Sequence, residues 1–160
     1  MLPKHADAAA RSPEKAKRKI LVVEDDRAVR ELLQGHLHNA GYDVVAVADA
    51  VLAGRSLLEG ASSIDLLIVD AELPYLSGIE FVSTLIADTT LPSVPMILIT
   101  GHEHLAKRAE ILEVPCLVKP FSADDLIGLV EKSIAGRRLA ESDAGLSDGK
   151  RQRANAHQRD

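Results

Sequence analysis

The sequence contains no tryptophan, two tyrosines, two phenylalanines and a single cysteine, Cys116, in 160 residues. So few aromatics exclude nucleic-acid recognition by base stacking. They also require an aliphatic core, for which a 46% hydrophobic composition is sufficient in one domain. One cysteine excludes an intrachain disulfide and removes any need for an oxidising compartment, so a cytoplasmic protein is expected. Long apolar runs are missing as well. The first stretch, MLPKHADAAARSPEKAKRK, is charged up to the first strand candidate, and neither a signal peptide nor any membrane association is expected.

Charge is unevenly spread. Residues 1–19 hold six Lys/Arg against two acids and residues 136–160 hold six against four, so the chain's net −5 conceals a body of −11 over residues 20–135. An acidic body repels a polyanion, and no docking helix is recognisable at the basic ends, so no nucleic-acid partner is expected. Residues 1–18 and 136–160 read as mobile, polar arms around one domain at 19–135.

Within that domain, short apolar runs alternate with amphipathic stretches. Strands are expected over Ile20–Val23, Asp43–Val47, Ile64–Val69, Pro95–Thr100 and Pro115–Val118. Helices are expected near Asp26–Asn39, Asp49–Glu59, Gly78–Ala87, Glu103–Leu112 and from Ser122 to about Ala135. In the first of them Val29, Leu32, Leu33 and Leu37 fall on one face. Capping-box spacing at Ser77-x-x-Glu80 and Ser122-x-x-Asp125, and Gly41 after the first helix, agree with these limits. The alternation is that of repeated βαβ units, hence a doubly wound parallel α/β sheet with helices on both faces and a site at the strand carboxyl ends.

At those ends stand Glu24, Asp25 and Asp26 after the first strand, Asp70 after the third, Thr100 at the fourth and Lys119 after the fifth. Acids after a strand often only cap a helix, and capping is the role expected of Asp26. A lone strand-end threonine or surface lysine is equally ordinary. Their coincidence at one end of a sheet is not. The six histidines show no metal-ligand spacing, and His36, His38, His102 and His104 are read as surface or loop residues.

Four segments taken in order, ILVVEDD at 20–26, IVDAELPYLSG at 68–78, ILITG at 97–101 and LVKPF at 117–121, resemble a response-regulator receiver domain of the CheY-like, two-component type. The resemblance covers about residues 19–135 and implies a flavodoxin-like five-stranded sheet in the order 2-1-3-4-5. It implies phosphorylation of Asp70, with Mg²⁺ held by Asp25, Asp70 and the backbone carbonyl of Glu72, and by Glu24 through water. It further implies that Thr100 and Lys119 contact the phosphoryl oxygens, that Pro120 is the family's cis-proline, and that Pro74 and Gly78 complete the loop after Asp70. A hard cation suits this chemistry, because a carboxylate approaching a phosphoryl group must overcome repulsion between like charges.

Two departures stand out. Cys116 occupies the place where the family often has a tyrosine or phenylalanine that swings inward, and the interval from Thr100 to Lys119 is about three residues short, so a trimmed fourth helix or loop is expected. The resemblance implies a single-domain regulatory switch, not an enzyme with turnover, monomeric or weakly dimeric. The resemblance further implies that such a switch takes phosphate from a sensor histidine kinase or histidine phosphotransfer protein and alters contacts with a downstream protein, and no DNA-binding output domain is expected. Two rivals stay open at this point. One is an aspartate-nucleophile, Mg²⁺-dependent phosphohydrolase; the other is a receiver-like binding module that is never phosphorylated.

Overall fold

Five runs of leucine and β-branched residues form five parallel strands, because runs this short and apolar are stable only when both of their faces are covered. The computed structural model describes residues 17–60, 64–91, 93–137 and 139. The arms expected at 1–18 and 136–160 lie largely outside these residues. In chain order the elements are β1 (Lys19–Val23), α1 (Arg27–Asn39), β2 (Asp43–Val47), α2 (Ala50–Gly60), β3 (Leu66–Asp70), α3 (Gly78–Ala87), β4 (Met96–Thr100), α4 (Glu103–Ile111) and β5 (Cys116–Val118), then α5 over residues 123–137. The sheet order is β2-β1-β3-β4-β5, as expected.

In-register pairs such as Leu21 with Leu67 and Ile68 with Ile97 alternate apolar side chains between two cores. Val23, Val69, Leu98, Leu57, Val82 and Ala109 pack beneath α2, α3 and α4. Ile20, Ile68, Ile99, Leu33, Leu37 and Leu126 pack beneath α1 and α5. Each fully buried aliphatic side chain contributes about 1.5–3 kcal/mol relative to an exposed one, which makes these two layers the main source of stability.

Strand limits differ slightly from expectation: β3 runs Leu66–Asp70 instead of Ile64–Val69, which makes Asp70 its last residue, and two further differences fall at prolines. β4 and β5 begin one residue later, at Met96 and Cys116, because Pro95 and Pro115 have no N–H to donate. Their carbonyls still accept from Leu67 N and Leu98 N, both at 2.9 Å. On α1, Leu33 and Leu37 are buried but Leu32 is 57% exposed, so the covered stripe is narrower than its periodicity suggests.

Local chemistry sets the helix ends. Asp26 Oδ1 accepts from Val29 N at 2.9 Å, the capping role expected of it. Gly41 follows α1 at φ 93°, in the left-handed region where a Cβ is disfavoured, and its N–H donates to His38 O. Ser77 with Glu80 and Ser122 with Asp125 form reciprocal capping boxes. α5 runs through residue 137, past the expected limit at 135, and α4 has only nine residues. No helix among the described residues is long and apolar enough to cross a membrane.

Because every strand is parallel, all five carboxyl ends share one edge. β1 lies between β2 and β3, so the chain turns opposite ways on its two sides and leaves a crevice above β1 and β3.

Candidate functional site

Four of the singled-out side chains meet in that crevice. Asp70, the last residue of β3, is 4% exposed and Glu24, just past β1, is 1% exposed. Asp25 beside it is exposed, and carboxylate oxygens from Glu24, Asp25 and Asp70 lie within 4.8 Å of one another. Lys119 reaches in from the end of β5, its Nζ 2.7 Å from Asp70 Oδ2 and 3.2 Å from Glu24 Oε2.

The remaining oxygens are also engaged. Asp70 Oδ1 accepts from Glu72 N at 2.7 Å, and Glu24 Oε1 accepts from Asp26 N at 3.1 Å. One half-buried lysine against three clustered carboxylates leaves an excess of negative charge. Burial, then the hydrogen bond and charge of Asp70, push the Glu24 carboxyl from 4.5 up to about 7, while the Asp26 amide and Lys119 pull it back in part. For Lys119 burial opposes the charged form, but Asp70 and then Glu24 outweigh it and hold the ammonium above its usual range.

Thr100 is fully buried, and among the described residues no hydrogen bond joins its hydroxyl to the carboxylates. Register pairs Asp70 with Ile99, so Thr100 lies one residue beyond. Its hydroxyl accepts from His102 N at 3.0 Å, and its carbonyl accepts from Lys119 N at 2.8 Å.

The loop after Asp70 depends on two special residues. A Cβ built on Gly78 would lie 1.9 Å from Asp70 O, so only glycine lets α3 start against the end of β3. Tyr75 sits at φ 66° in a three-residue turn closed by Leu76 N donating to Pro74 O at 2.8 Å. The Lys119–Pro120 bond is cis. Cys116 is half-buried, and burial pushes its thiol up.

Two groups escaped the sequence reading. His102 Nε2 lies 2.9 Å from Glu72 Oε1, at the mouth of the crevice. Arg30 Nη1, one turn into α1, donates to the carbonyls of Glu24 at 2.7 Å and Asp25 at 3.1 Å. An arginine four residues after the helix cap hints at Arg30, whereas only the folded chain brings together residues 72 and 102.

The cluster suits a hard divalent cation. It offers carboxylate oxygens alone, two of its three acids are buried, and its charge is undercompensated. Nitrogen- and sulfur-seeking metals would find no matching donors in it.

A parallel 2-1-3-4-5 sheet that gathers three acids and a lysine at its carboxyl edge defines a flavodoxin-like α/β domain with an acidic site at the strand ends. Residues 20–131 match the family profile of the response regulator receiver domain, and the chain belongs to that family. It is 34% identical over 133 residues to the transcriptional regulatory protein AruR of Pseudomonas aeruginosa, covering 79% of this chain and 53% of that one. The chemotaxis protein CheY of the same organism is 30% identical over 120 residues, 71% of this chain and 94% of CheY. A crystal structure of the receiver domain of sensor histidine kinase PA1611 from P. aeruginosa, with magnesium coordinated in its active-site cleft, superposes with a TM-score of 0.66 at 28% identity, over 75% of this chain and 99% of that one. The chain spans only part of the larger relatives, 53% of AruR and 28% of a response regulator-like protein of Arabidopsis thaliana. Receiver domains are regulatory phosphoacceptors of two-component systems rather than enzymes with turnover.

Proposed function

We propose that Asp70 accepts a phosphoryl group from the phosphohistidine of a sensor histidine kinase or histidine phosphotransfer protein, and that the modified domain exchanges one set of protein contacts for another in the cytoplasm. The observation that carries this reading is the contact between Lys119 Nζ and Asp70 Oδ2, 2.7 Å apart beside two further carboxylates. An aspartate held so is shielded from bulk water and already next to an ammonium that can pair with its product.

In the transfer, an Asp70 oxygen attacks phosphorus, the P–N bond to imidazole breaks, and the bond pair leaves with the donor histidine. Lys119 shifts from the carboxylate to the new phosphoryl oxygens, a move its flexible stem and point charge permit. Thr100 contributes its hydroxyl proton to a phosphoryl oxygen; the same oxygen atom still accepts from His102 N. Mg²⁺ would be held by Asp25, Asp70 and the carbonyl of Glu72, with Glu24 acting through water, and it supplies the charge neutralisation a loose transition state demands. Without a ring at position 116, the conformational equilibrium shifts through repacking around Cys116 and the short α4, which biases states already present.

The test is incubation with Mg²⁺ and acetyl phosphate followed by intact mass measurement. Wild type gains one labile phosphoryl group and Asp70→Asn does not. No adduct on wild type, or an equal adduct on both, would overturn the reading.

A further inference from the structure

The two peptide groups that flank Asp25 are the two that Arg30 holds. One N–H-bearing nitrogen, Nη1, donates to Glu24 O at 2.7 Å and to Asp25 O at 3.1 Å, the carbonyls immediately before and after the Asp25 Cα. A planar peptide leaves only two soft torsions per residue, so fixing both neighbouring planes fixes where the Asp25 side chain starts. The carboxylate itself has no other restraint. It is exposed, and among the described residues no hydrogen bond or ion pair reaches it.

Glu24 shares the Arg30 contact at its carbonyl but is tied by further bonds. Its amide is tied to Val47 O at 3.1 Å, and its two carboxylate oxygens are engaged by Asp26 N and Lys119 Nζ. Of the acids after β1, only Asp25 has its direction set through the backbone alone.

We infer that Arg30 is a positioning residue for cation binding: its guanidinium locks the turn that aims Asp25 at the cation, without touching cation or substrate. This rests on the reading of Asp25 as a cation ligand. Charge alone predicts the opposite effect. A fixed positive group beside a cation site repels the cation, so its removal would tighten binding if electrostatics dominated. Positioning predicts weaker binding, because residues that orient metal ligands typically change affinity by about 10–100-fold when removed.

The full-length ¹⁵N-labelled chain is titrated with Mg²⁺ alone at constant ionic strength, following the amide resonances of residues 24–26. Arg30→Ala is expected to raise the dissociation constant about tenfold. Arg30→Lys keeps the charge and a multidentate donor, and is expected to recover most of that loss. In a second measurement with acetyl phosphate, Arg30→Ala raises the Mg²⁺ concentration for half-maximal labelling while the rate at saturating Mg²⁺ stays near that of wild type.

Unchanged or tighter binding in Arg30→Ala overturns the inference. So does an equal loss in Arg30→Lys and Arg30→Ala, or a fall in saturated rate with no change in half-saturation. A wild type whose resonances do not respond to Mg²⁺ removes the reading of the site itself, which is a distinguishable failure.

Discussion

Gly78 and Asp70 stand so close that the carbonyl oxygen of Asp70 occupies the space where a side chain at 78 would begin, 1.9 Å from an ideal Cβ. The obstacle is backbone at the end of a fully buried strand, so no side-chain rotation relieves it. The first turn of α3 and the position of Asp70 are therefore a single packing problem.

Gly78→Ala is accordingly expected to destabilise the domain by about 3 kcal/mol, the upper range for overpacking, and to slow labelling by acetyl phosphate. Urea denaturation checks the first effect. A loss below about 0.5 kcal/mol, the usual scale of surface substitutions, would show that α3 yields without cost.

Asp25 contributes repulsion and gains nothing in return when no cation is bound. One of its oxygens lies within 4.8 Å of an oxygen of Glu24 and one of Asp70, with no hydrogen bond to Asp25's carboxylate among the described residues to offset this. Asp25→Asn should stabilise the chelator-treated protein by about 0.5–1 kcal/mol, the scale of a like-charge contact in a wet site, while abolishing the Mg²⁺ response. Reduced stability in EDTA would contradict the claim.

The pH dependence follows from Glu24. Its folded carboxyl titrates at about 7 against 4.5 unperturbed, mainly through burial and secondarily through Asp70. Because the folded value is the higher, the folded state binds the extra proton, and this contribution to stability is full below pH 4.5 and lost as pH rises through 7. Glu24→Gln should therefore raise the melting temperature of the cation-free protein at pH 8 far more than at pH 5. Equal shifts at the two values would mean that the acid is not strained.

Cys116 is half-buried with a thiol pushed up by that burial. A thiol rather than a thiolate is a poor nucleophile, so native protein at pH 7.5 should react with iodoacetamide at least about tenfold more slowly than urea-unfolded protein. Cys116→Ala should label with acetyl phosphate as wild type does. Native alkylation as fast as in urea would show that burial does not hold the thiol back.

Much of this architecture was legible in residues of a single kind. The apolar runs announce the five strands, and Ser77 with Glu80, Ser122 with Asp125, Asp26 and Gly41 mark where helices start and stop, because those signals act within four residues of chain. Leu32 shows the limit. It shares the helical stripe of Leu33 but stays 57% exposed, since the width of a covered face depends on what packs against it. The prolines before β4 and β5 shift two strand starts by one residue for an equally local reason, a missing N–H.

Thus the chain's own order of residue types determined that acids, a hydroxyl and a lysine would stand at the carboxyl ends of parallel strands. Tertiary structure alone decided their distant partners: that Lys119 bridges Asp70 and Glu24, and that Glu72 meets His102. Hydrogen bonds and ion pairs select among distant groups at a resolution of tenths of an ångström, and spacing along a sequence carries no information at that scale.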